Sequence, residues 1–138
     1  MKVRDAMAKT VSSAMKSDRV IDIARKMKQE DAGFIPVVEN GGTMVGVITD
    51  RDIVIRCIAE GHDPRNESAE HVMSREVTII GPDDDIEQAA RMMEREEIRR
   101  LPVAENGRLV GVLSHGNLVQ ATKNKTAEKA TEGVTRGA

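Results

Sequence analysis

The sequence predicts an α+β fold, α/β-like in its alternation, made of two β-α-β-β-α units packed about a pseudo-twofold axis. Three observations predict it. The chain repeats itself: residues 36–54 read PVVENGGTMVGVITDRDIV and residues 102–119 read PVAENGRLVGVLSHGNLV. Pro36 matches Pro102, and at the same offset Met7 matches Met73, Val11 matches Val77, Ala24 matches Ala90 and Met27 matches Met93. Each copy carries one stretch of helical periodicity followed by two β-rich stretches. Between those two stretches stands an Asn-Gly pair, the strongest short hairpin signal.

The elements follow in the same order in both copies. A short lead-in (Val3–Met7, Glu70–Met73) reaches a β-rich stretch at Thr10–Ala14 and Glu76–Ile80. Val20, Ile23, Ala24 and Met27 then form one apolar helical face, which Ile86, Ala89, Ala90 and Met93 repeat. Ser17 or Asp18 is placed to cap the first helix and Asp83, after Pro82, the second. Strands are predicted at Phe34–Val38 and Leu101–Ala104, turns at Asn40-Gly41 and Asn106-Gly107, and return strands at Met44–Ile48 and Leu109–Leu113. A second helix starts at Asp50 and at His115; in the first copy Ile53, Val54, Cys57 and Ile58 make its apolar face. The units are thus residues 1–61 and 69–122. A polar linker with Pro64 joins them at 62–68, and residues 123–138, rich in Lys, Thr, Glu and Gly, are expected to form a flexible tail.

Composition narrows the function classes. At 138 residues the chain has one domain's worth of material, and a repeat of roughly 60 residues buries too little surface to be robust alone. A net charge of −2 argues against a nucleic-acid partner, despite the basic Lys123–Lys129 stretch. With Phe34 as the one aromatic residue, the stacking platforms of single-strand binders are missing. The single cysteine, Cys57, cannot form an internal disulfide and fits a reducing cytoplasm. No apolar run approaches the ~20 residues that span a bilayer, and the N-terminus lacks a signal-peptide hydrophobic region. His62, His71 and His115 show no metal-ligand spacing. No Ser-His-Asp grouping, P-loop or dinucleotide fingerprint is present, so an enzyme is not expected. Asp83-Asp84-Asp85 is read as helix-start chemistry.

The repeated unit, ending in GVITDRDI and GVLSHGNL, resembles the CBS domain, named after cystathionine β-synthase, and two in tandem resemble a CBS pair, or Bateman module. The resemblance covers about residues 1–122. The TDRDIVIR segment followed by GHDP is similar to small stand-alone bacterial and archaeal CBS-pair proteins, including the hypoxic-response type. It implies a regulatory module, not an enzyme, that needs no cofactor and binds an adenine nucleotide (AMP, ADP or ATP, or a related adenosyl ligand) between the repeats. It also implies a homodimer formed through helical faces, for which the Ile53–Ile58 face and Met27 and Met93 are candidates, and an unidentified regulated protein. A ligand-free interaction scaffold is the alternative.

Carried over residue by residue, the signature gives Thr49 with Asp52, and Ser114 with Asn117. A carboxylate accepts from both ribose hydroxyls, and a helix start offers N–H groups to a phosphate. Thr-x-x-Asp and Ser-x-x-Asn at a helix start are also capping arrangements, and the two roles can coexist. The family pairs the signature of one repeat with the residues that precede the strand proline of the other. Thr49 and Asp52 are therefore expected to face Arg99 and Arg100, with Arg51 adding a phosphate contact and Val47, Ile79 and Ile80 (from the Val77–Ile80 stretch) flanking the base. A weaker second site is expected from Ser114 and Asn117 with Gly33 and Phe34, which carry no charge.

Overall fold

The computed structural model describes residues 1–124 of the chain. They form α1 (Val3–Ala6), β1 (Ala14–Met15), α2 (Val20–Glu30), β2 (Phe34–Val38), β3 (Met44–Thr49), α3 (Asp50–Ile53), α4 (Ala69–Val72), α5 (Ile86–Glu96), β4 (Arg100–Glu105), β5 (Arg108–Ser114) and a last helix, α6, over residues 115–124. Residues 123 and 124 belong to α6; the rest of the expected tail lies outside the described residues. Among the described residues no helix is long and apolar enough to cross a membrane.

Two antiparallel hairpins carry the repeat. In β2–β3, Phe34 pairs with Thr49 and Pro36 with Val47; in β4–β5, Arg100 pairs with Ser114 and Pro102 with Val112. Asn106 (φ 53) and Gly107 (φ 81) form a two-residue turn with both residues left-handed, the geometry that matches strand twist. The first copy has one more residue and closes through a 3₁₀ turn at Asn40–Gly42, with Gly41 and Gly42 at φ 87 and 86.

The lead-ins are exchanged between the repeats. Val3 packs in the second core with Ile86, Ala89, Leu101 and Leu113, while Ala69, Val72 and Met73 pack in the first with Val20, Ile23, Ile35 and Ile48. Val3 and Val72 are fully buried, and burying each contributes about 1.5–3 kcal/mol to holding the halves together. The crossing segments pair with the outer edge of the opposite hairpin. Val47 and Ser74 exchange two backbone hydrogen bonds (2.9 and 2.8 Å), and Ala8 and Val112 do the same (2.9 and 3.1 Å).

The exchange also explains how α2 and α5 begin. The carbonyls of Glu67 and Pro64 accept from Val20 and Ile21 N–H (2.9 Å each), and the Met1 carbonyl accepts from Ile86 N–H (3.1 Å). These satisfy donors that a helix start leaves open. The expected caps are corrected accordingly. Arg19 occupies the cap position of α2 with no side-chain capping bond, and the Asp18 carboxylate instead accepts from Met15 N–H at 2.8 Å. Asp85, not Asp83, caps α5 through Glu87 N–H (2.8 Å). Asp83 pairs with Arg4 across the exchange (2.8 Å), and Asp84 accepts from Gly81 N–H (2.8 Å).

The first strand of each copy is shorter than expected. From Thr10–Ala14 only Ala14 joins a ladder, continuing to Met15 beside Val37 and Val38, and from Glu76–Ile80 only Ile80 does, bridging Val103. Each segment arrives from the far repeat, so only its end reaches the sheet edge. The second-helix face is also narrower. Ile53 and Cys57 are buried, but Val54 and Ile58 are 55% and 53% exposed. After α3 the chain widens into a π turn over Val54–Ile58, closed by Ala59 N–H to the Val54 carbonyl (2.8 Å), which turns that pair outward. Met27 and Met93 are core residues, 9% and 4% exposed, and so offer little surface to a dimer interface.

Candidate functional site

A cleft of about 490 Å³ opens between the repeats. The first repeat supplies Gly33 and Phe34 at the start of β2, Val47 and Thr49 from β3, and Asp50, which opens α3. The second supplies Ser74, Glu76, Val77 and Thr78 from its crossing segment, Ile98 and Arg99 from the connection into β4, and Arg100 at the start of that strand. The volume lies within the roughly 300–1,000 Å³ usual for small-molecule sites.

Thr49, Val47, Arg99 and Arg100 thus meet in one cleft. Asp52 stands behind its wall. Its carboxylate accepts from Thr49 N–H (3.0 Å) and from the Ser74 hydroxyl (3.2 and 3.3 Å), while Thr49 Oγ1 accepts from Asp52 N–H (3.1 Å). This is a reciprocal capping box, so the capping role of the signature is physically present. The Ser74 bond adds a tie between the repeats. Arg56 strengthens it by donating to the Met73 carbonyl at 2.9 Å.

Arg51 is exposed and does not line the cleft. Ile79 is exposed, and Ile80 is buried in the second core with its N–H on the Pro102 carbonyl. From that stretch it is Val77 and Thr78 that line the cleft. Gly33 and Phe34, expected beside Ser114, both line the larger cleft, although Phe34 reaches the smaller one too.

Sequence reasoning missed Asp50, Ser74, Glu76 and Ile98. Asp50 has a geometric signal: its N–H bonds the Gly33 carbonyl (3.0 Å), and a Cβ on Gly33 would stand 2.7 Å from its carboxylate. A bare glycine is what leaves room for that acid. Ser74 and Glu76 enter only through the exchanged lead-in.

The polar groups are of mixed kind. Among the described residues, neither Arg99 nor Arg100 has a hydrogen-bond or ion-pair partner for its side chain. Among the described residues, the Asp50 carboxylate accepts only a local bond, from Arg51 N–H (2.9 Å). The cleft therefore offers two open guanidinium groups as donors and two carboxylates, Asp50 and Glu76, as acceptors.

A second cleft, of about 210 Å³, lies against Ser114 and Asn117. Ser114 N–H donates to Asn117 Oδ1 (2.9 Å) and Asn117 N–H to Ser114 Oγ (3.0 Å), the same reciprocal cap as in the first repeat. Arg100, Thr10, Ser12 and Glu30 also line it.

Fold and cleft define a tandem pair of ligand-module repeats, and the family follows: the CBS domain matches residues 3–58 and again 69–124, so the chain belongs to the CBS domain family. The CBS domain-containing protein YhcV of Bacillus subtilis (strain 168) is 36% identical over 133 residues, which cover 96% of this chain and 94% of YhcV. The crystal structure of Hypoxic Response Protein I with two coordinated zinc ions matches with a TM-score of 0.80 and 28% identity, covering 87% of this chain and 98% of that one. The crystal structure of CBSX2 in complex with AMP matches with a TM-score of 0.80 and 25% identity, over 91% and 98%. Among the described residues no group of three or more His, Cys, Asp or Glu side chains is placed to hold a metal ion.

Proposed function

We propose that this CBS pair is a regulatory module that binds an adenine nucleotide, with AMP as the working ligand, in the larger cleft. The observation that carries the reading is the pair of unpartnered arginines, Arg99 and Arg100, facing Thr49 and Asp50 across the repeats. AMP needs both kinds of group the cleft offers. Its phosphate accepts from Arg99 and Arg100; its ribose hydroxyls donate to Asp50; its exocyclic amine donates to Glu76 or Thr78. Val47, Val77 and Ile98 supply the apolar walls for the base, and Phe34 is the aromatic face within reach. Asp52 acts from behind, fixing Thr49 and Ser74. Charge-assisted bonds contribute roughly 1.5–3 kcal/mol each, so two arginines supply a large share of the −8.2 kcal/mol of micromolar binding. The AMP held by CBSX2, a structural relative, supports the same ligand class.

In this reading the protein works in the cytoplasm as a sensor without catalysis. Ligand across both repeats favours one arrangement of the halves, which is how occupancy becomes a signal. The exposed side chains of Val54, Ile55 and Ile58 form the apolar face for a homodimer. A regulated partner protein completes the pathway.

The test uses the absence of Trp and Tyr. The purified protein barely absorbs at 280 nm, so a band at 260 nm reports co-purified nucleotide almost free of background, and mass spectrometry of the released material identifies it. A blank spectrum together with an unchanged melting temperature on adding AMP, ADP or ATP contradicts the reading.

A further inference from the structure

The two clefts share a wall. Phe34 and Arg100 each line both of them, and these two residues are equivalents under the repeat, each opening the first hairpin strand of its copy. Among the described residues lining the smaller cleft, Arg100 is the one cation. Arg99, by contrast, lines the larger cleft and not the smaller.

The smaller cleft differs in chemistry as well as size. Asn117 stands where the first repeat has Asp52, and its Oδ1 is taken by Ser114 N–H, so the NH₂ group is the end left open. Ser114 Oγ accepts from Asn117 N–H, which leaves its hydroxyl proton free to donate. With Thr10 and Ser12 hydroxyls and the Arg100 fork, the polar lining is donor-rich apart from the exposed Glu30. A volume of about 210 Å³ is below the usual range for a drug-sized ligand and suits a small anion.

We propose that the clefts compete for Arg100: a nucleotide phosphate in the larger cleft excludes a phosphate-sized anion from the smaller one. This inference rests on the nucleotide reading of the larger cleft. Arg100 is one side chain serving two clefts, and the rotamer that aims its planar donor edge at a nucleotide phosphate in the larger cleft draws it away from the smaller one. When the fork turns to the nucleotide, the smaller cleft loses the one cation among its described lining residues and keeps Glu30, which repels an anion. Inorganic phosphate and nucleotide are then antagonists on one molecule, through one side chain.

The test is amide NMR on the full-length ¹⁵N-labelled protein in a phosphate-free buffer. Inorganic phosphate alone is expected to shift Ser114 and the Asn117 backbone and side-chain amides. Saturating AMP is expected to shift Thr49 and Val47 and to raise the phosphate midpoint at Ser114 at least fivefold. Arg99→Gln should weaken AMP while leaving the phosphate midpoint in its absence unchanged. Arg100→Gln should weaken phosphate at Ser114 at least fivefold and abolish the effect of AMP on it, with Arg100→Lys intermediate. The dispersion of each spectrum reports folding. AMP shifts at Thr49 with an unchanged phosphate midpoint overturn the competition alone, as does a silent Ser114 in the phosphate titration. No AMP shift at Thr49 or Val47 overturns the nucleotide reading and the competition with it.

Discussion

Gly46 lies against the backbone of Ser74, and a Cβ added to it would stand 2.6 Å from the Ser74 carbonyl oxygen and 3.1 Å from Met73 Sδ. Gly111 faces Ala8 and Met7 in the same way, at 2.8 Å from the carbonyl and 2.6 Å from the sulfur. The glycine of the GVIT and GVLS segments is thus the contact point at which each hairpin accepts the other repeat's lead-in. Gly46→Ala and Gly111→Ala should each destabilise by about 1–3 kcal/mol, the cost of overpacking against backbone. Gly116→Ala is the control: its nearest neighbour is Ser114 Oγ at 3.6 Å and it lies in α6, so it should stabilise by up to about 1 kcal/mol. Urea midpoints of the three variants check this, and equal losses at all three positions contradict it.

Thr49 and Asp52 have structural work that Asp50 does not share. Thr49→Ala and Asp52→Ala should each cost about 0.5–2 kcal/mol of stability through the lost capping box. Asp50→Asn should leave the melting temperature nearly unchanged while weakening AMP. Paired melting and binding curves separate these effects; a large stability loss in Asp50→Asn contradicts the assignment of its carboxylate to the ligand.

The linker is clasped by Glu67, whose carboxylate takes His71 Nδ1 and His62 Nδ1 at 2.8 Å each. The His71 hydrogen bond, helped by Ser68 N–H and opposed by partial burial, holds Glu67 below the ordinary carboxylate range. Its stabilisation is therefore complete above the unfolded value of about 4.3 and is lost as pH falls through the lower folded value. Glu67→Gln should be less stable than the wild type at pH 7 and show a flatter acid limb below about pH 4.3. Urea midpoints from pH 7 down to pH 3 measure it. Parallel curves for the two proteins contradict it.

Burial pushes the Cys57 thiol up, and Glu67 and Asp63 push it further, so the reactive thiolate is scarce in the folded protein. Its Sγ donates to the His62 carbonyl (3.5 Å) inside the first core. An aromatic disulfide reagent at pH 8 should react with the native chain at least about tenfold more slowly than with the urea-unfolded chain. Equal rates contradict a packed thiol.

Features set by neighbours in sequence were legible. The Asn106-Gly107 turn, the faces of α2 and α5 (apart from Ala90, which is exposed) and both hairpins follow from local periodicity and turn chemistry. The resemblance to the CBS pair also carried Thr49 to Arg99 and Arg100. Features set by the exchange were not legible. The short lead-ins around Met7 and Met73 carry no local signal that distinguishes packing on their own repeat from packing on the other, so nothing nearby announces that Ser74 backs Val47 or that Glu76 and Thr78 reach the cleft. The outward turn of Val54 and Ile58 was hidden for a related reason. Helical spacing assumes a regular turn, and the π turn over Val54–Ile58 changes it. Asp50 was overshadowed by Asp52, two residues on, because the signature points to the acid that caps and not to the one beside Gly33.

Isothermal titration of AMP into the wild-type chain and into the Arg99→Ala/Arg100→Ala double variant tests the central claim most directly. The predicted result is one strong site per chain, micromolar in the wild type and weakened at least tenfold, about 1.4 kcal/mol, in the variant, with the melting temperature of the free protein preserved. Two equal strong sites, unchanged affinity in the variant, or no binding to the wild type would contradict it.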